Sequence, residues 1–571
     1  MAIKLEGIGS SEGIAIAKVF KLVEPEIIIP DKKITDAVKE LKLFNLSVQK
    51  TKKDLINLEK ISMEKLGSEK AAIFGAHQQI LEDPEMQKQV TDLVNNEKIN
   101  CAKALEQVSK QFQAMFTSMN DPYFKERASD IKDVTNRLLK YILNLEVLDL
   151  ATISEQVVII ADDLTPSQTA QLNPEFVKGF ACDMGGRTSH AAIMARTLEI
   201  PAVLGLKTIV KNSKHNQSIL MNGKTGEIIL DPSKSEIDSW TKQKELFLKE
   251  QKELLSFKEK STHSKDGVKF ELEANIGSLK DVDAVLENGG EGVGLFRTEF
   301  LYMDSDHFPT EEEQFGAYKA IIEKMGNKKV IIRTLDIGGD KKLSYFQFPE
   351  ELNPFLGYRA IRLCLDKKDI FRTQLRALIR ASVFGKIGIM FPMIATVDEF
   401  KSAKKIYEEE KNKLIKEGVK ISDEIEVGMM MEIPAAAVIA DKFAKYADFF
   451  SIGTNDLIQY NMAADRMSQF VSYLYQPFNP SILNMINLII KGAHKHGKWV
   501  GMCGEMAGDQ YAIPLLMGLE LDYFSMSATS ILKARKIISE LNVSDMKELV
   551  QKALNSETND EVLNLVKKIY N

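Results

Sequence analysis

A chain of 571 residues is too long for one ordinary core, and at roughly 150 residues per domain several units are expected. With 44% hydrophobic and 27% charged residues, and 75 basic against 81 acidic side chains giving a net charge of −6, the composition is that of a globular protein with no basic excess to recruit nucleic acid. The widely spaced Cys101, Cys182, Cys364 and Cys503 argue against a disulfide framework or zinc site, and the lack of a signal-peptide core or of a run of ~18 apolar residues argues against membrane insertion, so a cytoplasmic protein is expected.

Residues 1–22 set Gly7, Gly9 and Gly13 among small apolar residues, a pattern of short strands and turns. From about Asp31 the texture changes: Ile34, Val38, Leu41, Phe44 and Val48 recur at three- and four-residue steps, and similar stripes continue to about Leu145. Strand-like "VVIIADDL" follows at Val157, and β/α character lasts to "GEIILDP". The simplest organisation is a β/α domain of residues 1–22 and 146–232 with a helical bundle, 23–145, inserted in it. Residues 233–260 read as one charged connecting helix.

Residues 261–571 carry eight short apolar runs: Lys269–Gly277, Gly292–Leu301, Val330–Gly338, Ile387–Ile394, Val427–Pro434, Phe449–Tyr460, Trp499–Gly508 and Tyr523–Ala528. Helix-patterned sequence separates them, so a (β/α)8 barrel of the TIM type is expected, with reactive groups at the C-terminal ends of its strands. Those ends present Asn275, Arg297, Thr298, Glu299, Arg333, Asp336, Glu432, Asn455, Asp456, Cys503, Glu505 and Ser525. Arg297, Arg333 and Arg466 can form a clamp for a phosphate dianion, because the guanidinium fork matches its oxygens. Glu432 and Asp456 offer hard oxygen ligands suited to Mg2+. The alternative for these charges is a structural ion-pair network at the barrel rim. Cys503 is either a small buried hydrophobe or a thiol held among arginines, able to protonate carbon or to persist as thiolate. The methionines of "GMMMEIP" read as core packing.

In "GGRTSHAAIMART" the glycines end where a helix begins, which puts His190 at a helix N-terminus with free backbone donors and a positive dipole. Arg187, Thr188 and Ser189 add a charge and two hydroxyls. A neutral imidazole there has a lone pair for attack on phosphorus; the alternative is a helix-capping histidine. In "DLTPSQT", Thr165 caps a helix start at Pro166, and Thr169 is placed to orient the His190 ring. His494 and His496 sit at a charged helix end where solvation is expected, and His77 lies in the helical block, where a surface role is expected.

Taken together, "GGRTSH", "GVGLFRTEFLYM", "RTLDIGGDK", "NPFLGYRAIR", "FFSIGTNDLIQY" and "GMCGEMAGD" resemble, essentially end to end, the enzyme I family of phosphoenolpyruvate-protein phosphotransferases of the bacterial sugar phosphotransferase system. The resemblance implies a swivelling phosphohistidine domain, an inserted helical domain that docks the carrier protein HPr, and a barrel that binds phosphoenolpyruvate and Mg2+ and dimerises. It implies that His190 is the phosphoryl acceptor, and that Arg297 and Arg333 are the phosphate clamp. Glu432 and Asp456 become metal ligands, Asn455 and Arg466 further substrate contacts, and Cys503 the acid that converts enolate to pyruvate. One departure is Ala191, where many members of the family have Ser or Thr. Because HPr surfaces in this family are apolar with basic surrounds, acidic Glu82, Asp83 and Glu85 are a candidate carrier dock, against the alternative of a solvated helix end. A dikinase or synthase would need an ATP-grasp domain for which there is no room, and a purely regulatory adaptor would not need the intact constellation. The nitrogen-regulatory paralogue is disfavoured because the chain starts directly at "GIGSSEGIAIAK".

Overall fold

Among the described residues the alternating N-terminal segment forms three strands, β1 (Ile3–Glu6), β2 (Ile8–Ser11) and β3 (Ile14–Lys21), and the apolar stripes after it form five helices between Ala37 and Ile142. The chain then returns to β4 (Val157–Ala161), β5 (Val177–Cys182), β6 (Ala202–Leu204), β7 (Ser218–Asn222) and β8 (Glu227–Leu230). These are features of a computed structural model that describes residues 2–570 apart from 23, 24, 26, 32, 67, 119–121, 146, 148, 149, 151, 152, 170, 187, 188, 199, 304, 340, 342, 344, 467 and 469. The chain divides into two units, Met1–Glu250 and Gln251–Asn571.

Among the described residues of the first unit, the strands form one mixed sheet in the order β1-β8-β7-β3-β4-β5-β6-β2. Strand β3 pairs in parallel with β4, so the whole helical segment is a crossover between neighbouring strands. The sheet buries one apolar cluster around Ile159, Phe180 and Leu204 and another around Val158, Ile219 and Ile228. The helices enclose their own core, with Phe44, Leu55, Phe74, Val90, Leu105 and Leu138 buried. His77 belongs inside it: its side chain is 1% exposed, edge-on to Phe74 and 3.5 Å from Asp130, which corrects the expected surface role.

The second unit holds β9 (Glu271–Ile276), β10 (Gly292–Arg297), β11 (Val330–Arg333), β12 (Ile387–Phe391), β13 (Glu426–Met431), β14 (Phe449–Ile452), β15 (Trp499–Met502) and β16 (Tyr523–Met526). All pair in parallel, and β16 closes on β9 as a barrel. Each of the eight apolar runs contributes one strand. The lumen is filled by Leu295, Ile331, Met390, Met430, Phe449 and Cys503, with Trp499 stacked on Phe449 at 4.4 Å, while the larger core lies between strands and helices. The three methionines Met429, Met430 and Met431 are buried, as expected from core packing. His494 is bonded to Asp522 at 2.9 Å, and Nε2 of His496 is buried without a partner, so solvation does not describe His496.

Candidate active site

In the first unit, β5 ends at Cys182 and the chain turns through Gly185, whose φ of 93° favours glycine, into the helix His190–Thr197. Ser189 is the N-cap, its hydroxyl oxygen accepting the Ala192 amide at 3.3 Å. His190 is therefore the first helical residue, at the end where free amides and the dipole favour an anion. Arg187 and Thr188 lie outside the described residues, as does the side chain of His190. Ala191 is buried in the apolar cluster beneath the helix, where a methyl packs better than a hydroxyl. The neighbouring helix Pro166–Thr169 starts as expected: the Thr165 hydroxyl accepts the Gln168 amide at 3.3 Å, and Gln168 returns a bond to the Thr165 amide at 2.9 Å. Thr169 at its end is fully buried, and this helix packs against that of His190.

In the second unit the charged residues of separate strand ends meet at one mouth. Arg333 ends β11 with its side chain buried, 2.5 Å from Glu299, 3.0 Å from Asp336 and 3.5 Å from the Met430 sulfur. Arg359, on the loop after β11, is also buried; it donates to Asp336 at 2.8 Å and to the Tyr460 hydroxyl at 3.2 Å. Lys341 completes the frame, 2.7 Å from Glu299 and 3.3 Å from Asp336. Burial alone would raise the Asp336 carboxyl, but Arg333, Arg359 and Lys341 hold it well below the usual carboxylate range. These pairs fix two guanidinium planes without consuming every donor: the Nε atoms of Arg333 and Arg359 are buried with no partner. Arg297, at the end of β10, is exposed. Arg466 lies 3.7 Å from Asp456, and its guanidinium and that of Arg359 flank the Phe355 ring at 6.0 and 5.8 Å.

Arg359, Lys341 and Phe355 are the residues that strand-end reasoning missed. They lie on the long β11 loop, inside or beside the "RTLDIGGDK" and "NPFLGYRAIR" stretches. The usable signal was an arginine within an apolar, glycine-bearing loop too long to be a simple connection.

Glu432 follows β13 and is buried; burial, then repulsion by Asp456 and Asp336, pushes its carboxyl up to about 8 despite Arg333 and Arg359. Met393 takes a left-handed φ of 57° and donates its amide to Glu432 at 2.6 Å. Asp456, in the first turn of the helix Thr454–Asn461, keeps Oδ1 buried without a hydrogen bond. Among the described residues no group of three or more His, Cys, Asp or Glu is arranged to hold a metal ion. Two crowded carboxylates, one with an unmet oxygen, nevertheless fit Mg2+, which takes one or two protein carboxylates and completes its shell with water and phosphate. Asn455, beside them, accepts a hydrogen bond from Tyr475 at 2.9 Å.

Cys503 is at the top of the lumen, 4% exposed, with the Ser451 hydroxyl in hydrogen-bonding reach. Burial raises its thiol above the ordinary range, opposed by Ser451, Arg333 and Arg297 and reinforced by Glu432. It therefore carries its proton at neutral pH. Gly504 follows because a Cβ there would fall 1.7 Å from the Thr454 hydroxyl. The mouth thus combines fixed cations, unmet carboxylate oxygens and one protonated thiol, a set that can bind a phosphorylated carboxylate and deliver a proton to carbon.

The phosphoenolpyruvate-protein phosphotransferase of Mycoplasma capricolum subsp. capricolum is 56% identical over 571 residues, covering 100% of both chains. That of Bacillus subtilis is 54% identical over 99% of this chain and 100% of its own, and that of Staphylococcus carnosus is 54% identical over 100% and 99%. The chain belongs to the phosphoenolpyruvate-protein phosphotransferase family. Family models match in three stretches: "PEP-utilising enzyme, N-terminal" over residues 6–127, "PEP-utilising enzyme, mobile domain" over 153–226, and "PEP-utilising enzyme, PEP-binding domain" over 251–543. Placed on those family stretches, Glu82, Asp83 and Glu85 lie in the first, Thr169, Arg187, Ser189 and His190 in the second, and every barrel-mouth residue named above in the third.

Proposed function

We propose that this chain transfers the phosphoryl group of phosphoenolpyruvate to His190 and from there to a histidine of the carrier protein HPr, releasing pyruvate, as the first step of sugar uptake in the cytoplasm. The observation that carries the reading is the mouth of the second unit, where braced arginines, two crowded carboxylates and a proton-bearing thiol converge. Arg297 and Arg333 bind the phosphate oxygens, and Arg359 and Arg466 add charge beside them. Asn455 orients the substrate, supported by Tyr475. Glu432 and Asp456 would hold Mg2+, which when bound would supply further positive charge for the phosphate. Phosphoryl transfer needs mostly this kind of positioning and charge stabilisation.

His190, neutral, offers a ring nitrogen to phosphorus in line with the enolic oxygen. The N–P bond forms as the P–O bond breaks, and the electron pair stays on oxygen as the enolate of pyruvate. Cys503 gives its proton to the terminal carbon of that enolate, and the thiolate regains a proton from water. Thr169, Arg187 and Ser189 support the imidazole or its phosphoryl group, the helix N-terminus adding its own donors. Because nucleophile and substrate site belong to different units, the two must approach for the first transfer and separate for the second. The barrel unit is also the expected homodimer contact.

The test is labelling. Incubated with Mg2+ and 32P-phosphoenolpyruvate, the protein gains acid-labile, base-stable label that passes to added HPr, and His190→Ala gains none. Label of equal yield in His190→Ala would overturn the assignment.

A further inference from the structure

The strand ends at the mouth include two polar residues with no part in binding phosphate or metal, Asn275 at the end of β9 and Ser525 on β16. They form a chain: the Ser525 hydroxyl donates to Oδ1 of Asn275 at 2.7 Å, and Nδ2 of Asn275 donates to the backbone carbonyl of Cys503 at 3.0 Å. β9 and β15 are not ladder partners, since β16 lies between them. No backbone bond can therefore tie Cys503 to β9, and the amide side chain reaches across the intervening strand to do so. From the opposite flank the Cys503 amide donates to the Ile452 carbonyl of β14 at 3.1 Å.

We propose that Asn275, held by Ser525, is a positioning residue that aims the Cys503 thiol at one face of the enolate. The inference rests on the assignment of Cys503 as proton donor made above. Its physical basis is the peptide that follows. β15 ends at Met502, so the Cys503 carbonyl has left the ladder, and Gly504 cannot stiffen the turn with a side chain. Two anchors, Ile452 on the amide and Asn275 on the carbonyl, define the Cys503 backbone and with it the direction of Cα–Cβ. Removing the second anchor frees the carbonyl carbon of Cys503 to shift, and Cα, Cβ and the sulfur shift with it. Ser525 is 3% exposed; its bond to Oδ1 turns the amide so that nitrogen faces Cys503. A proton transfer to carbon is sensitive to such aim, because the donor must lie over one face of a planar enolate.

The probe is a phosphoenolpyruvate bearing a methyl group on its terminal carbon, turned over with Mg2+ and HPr in D2O, the 2-oxobutyrate product being reduced in situ to preserve its new stereocentre. The parent places deuterium on one face. Cys503→Ala gives both faces. Asn275→Ala is expected to give a mixture and a roughly five- to tenfold slower proton delivery, the scale of one lost hydrogen bond. Ser525→Ala, which removes no backbone bond, repeats the test if Asn275→Ala fails to fold, and is expected to shift the ratio in the same direction. Single-face deuteration in both variants, with a mixture from Cys503→Ala, overturns the positioning role alone. Single-face deuteration in Cys503→Ala overturns the thiol as donor, and this inference with it.

Discussion

Glu273 is a carboxyl buried inside the barrel where carboxylates outnumber cations. It lies against Gly292 and Gly294, its Oε1 has no hydrogen bond, and the charged groups around it are Glu271, Glu291 and Glu426 against the single cation Lys329. Burial, then those carboxylates, push its carboxyl up to about 8 from the ordinary 4.5. The folded protein therefore holds a proton here that the unfolded chain releases above pH 4.5. Stability from this group is greatest below about 4.5, declines as pH rises, and levels off above about 8, a loss on the order of 5 kcal/mol at most. Glu273→Gln keeps the shape and removes the titration, so its melting temperature is expected to exceed the parent's increasingly between pH 5 and 8; parallel profiles would contradict this. The position shows what residue-by-residue reading can and cannot reach. Arg297, Arg333, Glu432, Asp456 and Cys503 were legible because they are polar or reactive residues at or just after the C-terminal ends of strands, where a barrel places reactive groups. Glu273 sits in the middle of a strand and Arg359 on a loop, so neither has a strand end to mark it, and their partners are brought close by the fold.

The helix Pro84–Glu97 shows how one element divides its acidic residues between folding and contact. Asp83 is its N-cap, accepting the Met86 amide at 2.8 Å, and Glu82 pairs with Lys52. Glu85, in the first turn, accepts a hydrogen bond from Gln89, one turn along, at 2.9 Å. Asp83→Ala is expected to cost about 1 kcal/mol of helix stability, seen as a lower melting temperature of the first unit. Glu85→Lys is expected to cost only a few tenths of a kcal/mol through the helix dipole but to slow transfer to HPr several-fold at low ionic strength, an effect that fades with added salt. A Glu85→Lys rate equal to the parent's at low salt would remove the acidic dock. Elements were easier to find in the sequence than to bound. The run Phe449–Tyr460 was read as one stretch, yet Gly453 divides it into β14 and the helix Thr454–Asn461, whose first turn holds the polar Thr454, Asn455 and Asp456; polar residues at a strand end and in the first turn of a helix look alike in sequence.

At the scale of the molecule, the connecting helix Lys234–Leu255 belongs to both units by its two ends. Trp240 packs with Leu220 and Ile229 on the first unit's sheet. Beyond its C-terminus, Arg535 is buried in the barrel unit and donates to the carbonyls of Phe257 at 2.8 Å and Lys258 at 3.1 Å, while Lys536 pairs with Glu253 at 3.0 Å. Such a clamp joins residues far apart in sequence and has no periodic signature, so only the charged helix itself was legible. Any motion that carries His190 between substrate and carrier must then be taken up before Glu253. Leu246 and Leu248, in the middle of the helix, are exposed, so a protease site placed there cuts the tether without opening a core. Tethering by a short linker gives an effective concentration on the order of 1 mM, whereas severed units at about 10 μM meet only at that bulk value, roughly a hundredfold lower. Labelling of His190 in the cut protein is thus expected to slow about a hundredfold at 10 μM and to scale with dilution, while HPr phosphorylation from prelabelled His190, which needs the first unit alone, keeps the parent's rate. Equal labelling of cut and intact protein at every dilution would mean that surface contact, and not the covalent helix, brings the phosphoryl donor and His190 together.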